Sequence, residues 1–218
     1  MASFWGKIWP FGRSGADPAS SPAMRALVSN LHYEIVPMKS IEQAIEDLPP
    51  NAHVSVTCSP AKGIAATQDY TLRLLDLGHH AVPHFAARLV EGPDHAVKLA
   101  GWLREHGIES LFVIAGDAPE PVGPYEGALP FIRDLLDADP GLTRLGITGY
   151  PDGHALIEPA VVTEQLHAKQ ALLAEAGVPG WVSTQMCFDE DRIREWLQAE
   201  RAAGLTLPVR LGVPGVVD

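Results

Sequence analysis

The sequence predicts an α/β fold, a (β/α)8 barrel with about seven of its eight strands present. Three observations predict it. Short apolar runs alternate with helical patterns, as strands of a parallel sheet buried on both faces do. Six successive runs each end in one polar or ionisable residue: YEI near Glu34, VSV at Thr57, AVP at His84, LFVIAG at Asp117, RLGITG at Tyr150 and WVST at Gln185. The loops after strands, notably GDAPEPVGPYEG and GYPDGHALIEP, are longer and richer in Pro and Gly than those before strands, such as LPPNAH. Polar strand ends with long loops mark the functional face of a barrel.

The elements follow in order. Strands are expected near 33–37, 54–58, 81–85, 110–116, 144–149, 180–185 and 208–213, with helices near 41–48, 66–77, 94–106, 126–138, 160–176 and 189–203. Strand starts fall roughly 21 to 36 residues apart, the span of a βα unit and not of a hairpin. The last helix carries the clearest signals. Asp189, Glu190 and Asp191 occupy its first turn, Ile193, Trp196 and Leu197 form an apolar face, and Gly204 stands at its end. Gly107 and Gly177 close two more helices in the same way. A doubly wound sheet is the rival, but the turn after the first strand reads PMKSIEQ, without the glycines of a phosphate loop. After GVPGVVD the pattern stops. The expectation is a barrel domain over 31–218 lacking its last βα unit, as a fragment or as a barrel closed by a partner chain. Residues 1–30 read as a flexible leader and linker, with Trp5, Trp9 and Phe11 in a loosely ordered tail.

Composition excludes several classes of function. A net charge of −11 leaves no basic stripe for nucleic acid. No run is long enough to span a bilayer, and the leader lacks the core and cleavage site of a signal peptide. Cys58 and Cys187 read as small packed hydrophobes rather than a disulfide, which places the chain in a reducing cytoplasm.

Each strand-end residue has a bland alternative. Glu34 lies within HYEIVP, where a buried carboxylate stays protonated or finds a cation; a surface residue on an edge strand is the other reading. Asp117 follows Gly116 and can either face a ligand or cap its own turn. His84 and His154, each taken alone, read as hydrogen-bonded structural histidines, His79 and His80 fall before a strand, and Lys169 reads as part of a solvated helix face.

Taken in order, these motifs resemble the methylenetetrahydrofolate reductase family. The likeness runs over about residues 32–215: a Glu in the first strand, V-S-V-T, V-P-H-F, a G-D-x-P turn, G-Y-P-x-x-H, S-T-Q-x-x-F-D and a final P-V-R-L-G-V-P-G. The resemblance implies an oxidoreductase of one-carbon metabolism. Such an enzyme reduces 5,10-methylenetetrahydrofolate to 5-methyltetrahydrofolate with NADH or NADPH, on an FAD bound in a (β/α)8 barrel. It implies Glu34 as the acid that opens the folate ring, Asp117 as the carboxylate that stabilises the iminium, and Gln185 as the amide that binds the pterin. Thr57, His84, Asp117, Tyr150 and His154 would line the flavin. Ala115 stands where the family carries an arginine before the G-D turn. Expected partners are the folate and the nicotinamide dinucleotide, with a homo-oligomer left open and neither membrane nor nucleic acid involved. Two other readings stand beside this one. One is a barrel enzyme holding Zn²⁺ or Mn²⁺ on Glu34, His84, Asp117 and His154, although no H-x-x-x-H spacing supports it. The other is a non-catalytic truncated barrel that binds folate or a partner.

Overall fold

The computed structural model describes residues 21–214. The leader residues Trp5, Trp9 and Phe11 lie outside them. The chain divides into two units, Met1–His32 and Tyr33–Asp218. Within the first, α1 (Pro22–Ser29) replaces part of the expected linker. The Ser21 hydroxyl accepts from the Met24 N–H at 3.0 Å, and Pro22 opens the first turn. A good cap followed by the helix formers Ala23 to Leu27 outweighs the Pro- and Ser-rich composition around it.

The second unit is an incomplete (β/α)8 barrel. Its strands are β1 (His32–Ile35), β2 (His53–Val56), β3 (His80–Ala86), β4 (Ser110–Ile114), β5 (Arg144–Gly149), β6 (Gly180–Met186) and β7 (Val209–Gly212). They lie side by side in sequence order, and the pairings from β2 to β7 are all parallel. The connecting helices are α2 (Ile41–Glu46), α3 (Gly63–Asp76), α4 (Pro93–Glu105), α5 (Ala128–Asp137), α6 (Pro159–Glu175) and α7 (Glu190–Ala202). The C-terminal glycines do what their positions require: Gly107, Gly177 and Gly204 take φ of 62°, 68° and 103° just past α4, α6 and α7. At the start of α7 the Asp189 carboxylate accepts from the N–H groups of Asp191 and Arg192. Among the described residues no helix is long and apolar enough to cross a membrane.

Alternation along each strand sorts side chains between two apolar layers. Leu111, Val113, Leu145, Ile147 and Val182 face the helices and pack with Leu103, Phe131, Leu135, Leu166 and Leu173. Ile35, Val54 and Val56 do the same with Ile41, Ile45 and Leu74. On the opposite face Val82, Phe112 and Trp181 form a separate cluster inside the curl of the sheet. Both cysteines are free and buried. Lys169 is not on a solvated face: it is only 7% exposed beside Leu166 and Leu173, and burial pushes its ammonium down to about 8. Helix α6 packs on β5 and α5, so its polar residues are less free than the sequence pattern suggests.

Gly146 shows how tight the inner layer is. It stands in register between Phe112 and Trp181, and a Cβ there would overlap both rings. Gly146→Ala is therefore expected to destabilise the fold by about 1–3 kcal/mol through overpacking. Chemical denaturation checks this, and an unchanged midpoint would show that the rings can move aside.

Candidate functional site

Because the strands run in one direction, their carboxyl ends emerge together. A cavity of about 280 Å³ opens there, and residues from β1 through β6 line it. Of the residues singled out in the sequence, Glu34, Thr57, His84, Asp117, Tyr150 and Gln185 line this cavity. His154 does not. It packs edge-on against Tyr150 with ring centroids 5.0 Å apart, and its Nδ1 accepts from the Leu156 N–H at 3.2 Å.

Glu34 is open to solvent on β1, the edge strand, as its bland reading supposed. The surrounding strand ends still crowd it enough for desolvation to raise its carboxyl above the usual range. Among the described residues no hydrogen bond or charge partner offsets that rise. Asp117 is also exposed, and its carboxylate makes no hydrogen bond within the described residues, so it does not cap its own turn. Both acids are left available to whatever enters the cavity.

The opposite holds for His84. It is 5% exposed and stacks against Phe112 with centroids 4.6 Å apart. Burial pushes its imidazole down to about 3, so it is neutral throughout the physiological range. Thr57 is anchored by its backbone: its N–H donates to Ile35 and its carbonyl accepts from the Thr67 hydroxyl. Its own Oγ1 is buried at the cavity without a partner. A buried hydroxyl left unsatisfied costs about 1–3 kcal/mol, which a ligand polar atom would recover. At Gln185 the Oε1 accepts from the Met186 N–H at 2.8 Å, which leaves the amide nitrogen to project. An irregularity in the β6–β7 pairing between Ser183 and Met186 falls at this residue, a common device for re-aiming a side chain.

Thr148 and Ser183 also line the cavity and escaped the sequence reading. The signal was present: each lies two positions before a named strand-end residue, Tyr150 and Gln185, and so shares its face. Cys58 lines the cavity as well, with its thiol pushed up by burial. Among the described residues no three His, Cys, Asp or Glu side chains converge to hold a metal ion, so the proposed set of Glu34, His84, Asp117 and His154 is not gathered.

The same lining tests FAD. The orphaned Thr57 hydroxyl and the polar edge of Thr148, Ser183 and Gln185 suit one flat heterocycle. The diphosphate is a different matter. Among the described residues, the charged groups lining the cavity are the acids Glu34 and Asp117, and no Lys or Arg lines it to neutralise phosphate. As the described residues line it, the cavity fits a ring system and offers no cation to hold the diphosphate of FAD tightly.

No family model matches the chain. Over 118 residues it is 26% identical to methylenetetrahydrofolate reductase 2 of Saccharomyces cerevisiae, a match covering 51% of this chain and 19% of that enzyme. The likeness is distant and partial. The chain spans under a fifth of the relative's length in that match.

The buried neutral histidine has a measurable consequence. An imidazole held at about 3 in the fold, against about 6.5 in the unfolded chain, binds fewer protons when folded. Stability is then full above about pH 6.5 and falls as pH drops toward 3, by up to about 1.4 kcal/mol per pH unit. His84→Gln is expected to remove about 2 kcal/mol of the stability difference between pH 7.5 and pH 5. Equal pH dependence in both proteins, measured by urea unfolding, would show that His84 titrates normally.

Proposed function

We propose that the chain is an oxidoreductase of one-carbon metabolism that reduces 5,10-methylenetetrahydrofolate to 5-methyltetrahydrofolate, with hydride taken from NADH or NADPH. The observation that carries this reading is the pair of unpartnered carboxylates facing one cavity, Glu34 with a raised pKa and Asp117 exposed. The partial likeness to a methylenetetrahydrofolate reductase supports it.

The chemistry follows from those two acids. Glu34 keeps its proton to a higher pH than an ordinary carboxyl, and so can give it to the folate ring nitrogen that must leave. That breaks one C–N bond of the five-membered ring and leaves a cationic methylene iminium. Asp117 supplies a facing negative charge to that cation, and this is worth more in a cavity than in bulk water. Hydride from the nicotinamide C4 then adds to the methylene carbon, giving the methyl group and oxidised nicotinamide. One proton and one hydride are consumed, and Glu34 is reprotonated from solvent. The Gln185 amide and the Thr57 hydroxyl offer a donor and an acceptor to the pterin edge. A reductant that binds only transiently can leave its diphosphate in solvent, so the acidic lining does not oppose it as it opposes a resident FAD.

Glu34→Gln removes the proton and keeps the shape. Folate-dependent oxidation of NADH is expected to fall by about 10²- to 10⁴-fold. Wild-type rates in that variant would remove Glu34 from the acid role.

A further inference from the structure

Asp117 has no hydrogen bond of its own to hold it, so its aim depends on the backbone that carries it. That backbone is the long, irregular connection from Ala115 to Gly127 between β4 and α5. A loop of this length would ordinarily be among the most mobile parts of a domain. Here the buried Tyr125 anchors its far end in the core, where its hydroxyl donates to Asp134, and one residue from a neighbouring segment ties down the stretch around Asp117.

Arg88 sits in a short 3-10 turn, Ala87–Leu89, just after β3. Its main chain makes two bonds to the connection: its N–H donates to the Ala115 carbonyl at 2.9 Å, and its carbonyl accepts from the Val122 N–H at 3.0 Å. Its side chain makes four more. Nε donates to the Ala118 carbonyl at 2.7 Å and Nη2 to the Pro119 carbonyl at 2.8 Å. Nη1 donates to the Glu126 carbonyl at 3.1 Å and to the Glu126 carboxylate at 2.9 Å. The Arg88 side chain is only 18% exposed and does not line the cavity. Three of its four acceptors are main-chain carbonyls, so the guanidinium fixes the path of the backbone and does more than pair a charge. The planar fork matters, because an ammonium cannot reach carbonyls at both ends of the loop in one plane.

The connection also lies hard against the segment that carries Arg88. Gly116 has φ of +92°, and a Cβ on it would stand 2.8 Å from the Ala86 Cβ. A Cβ on Gly123 would overlap the backbone at Val90 and Glu91. Asp117 therefore leaves a close contact with β3 on one side and enters the grip of Arg88 on the other.

We propose that Arg88 is the positioning residue for Asp117: its guanidinium fixes the loop so that the carboxylate faces the cationic carbon formed in the cavity. This rests on the folate-reducing reading of the site. Ala115 stands before the G-D turn where the family that this sequence resembles carries an arginine, and no local pattern marks Arg88. The structure shows a cation arriving at the same loop from β3.

The test compares Arg88→Lys, Glu126→Gln, Asp117→Asn and the double variant Arg88→Lys/Asp117→Asn. Arg88→Lys is expected to lower kcat by about 10- to 100-fold, as a misplacement of about 1 Å does, with the folate KM changed far less. Glu126→Gln leaves the backbone bonds in place and is expected to stay close to wild type. Because Arg88 acts through Asp117, the double variant is expected to be no slower than Asp117→Asn alone. Hydrogen–deuterium exchange gives a readout independent of turnover: residues 115–127 are expected to exchange faster in Arg88→Lys, with β4 unchanged. Losses in kcat that multiply in the double variant would overturn the proposal, as would unchanged exchange in the loop. If the wild-type chain shows no folate turnover, the functional reading fails, and loop exchange alone then decides whether Arg88 holds the segment.

Discussion

The alternation of side chains along parallel strands governs this molecule. Residues at one parity face the helices and must be apolar; Leu111, Val113, Leu145, Ile147 and Val182 occupy those places. Residues at the other parity face the inside of the curled sheet. There the large groups Phe112 and Trp181 fill the middle layer, and the strand ends above them are released from the need to pack. Since every strand runs the same way, the released positions gather on one side. A shift of register by one residue in any strand would turn its polar end into the helix layer and bury an unmatched group. The packing that stabilises the barrel thus also decides which residues can meet a ligand.

Within the cavity, burial acts unequally on the titratable groups. The His84 imidazole is held neutral by burial against Phe112, so it contributes shape and a neutral nitrogen, with no positive charge. The two acids differ too. Crowding raises the Glu34 carboxyl, while Asp117 stands exposed on a loop that other residues hold in place. A carboxyl inclined to keep its proton and a second carboxyl without a bond of its own are what the proposed reaction through a cation would use. The same acidic lining argues against a tightly held diphosphate.

Much of this was legible in the sequence because strand periodicity and helix-ending glycines are local signals. The seven strands and six barrel helices fall close to where apolar runs and C-terminal glycines such as Gly107 and Gly177 place them. The strand-end residues were legible for the same reason, and Thr148 and Ser183 needed only a count back by two. Three features were not legible. Helix α1 depends on a Ser21 cap within a Pro- and Ser-rich stretch that reads as linker. Burial of Lys169 depends on how α6 rotates against β5 and α5, a tertiary fact. Arg88 depends on contacts with residues 27 to 38 positions away, which no local pattern encodes.

In the proposed function, this cavity directs a hydride onto a folate methylene carbon. The most direct measurement incubates the purified chain with NADH deuterated at the nicotinamide C4 and 5,10-methylenetetrahydrofolate, without added flavin, and weighs the product by mass spectrometry. One deuterium in the N5 methyl group is the expected result. An unlabelled methyl group, or no methyl product while the protein remains folded, would contradict it.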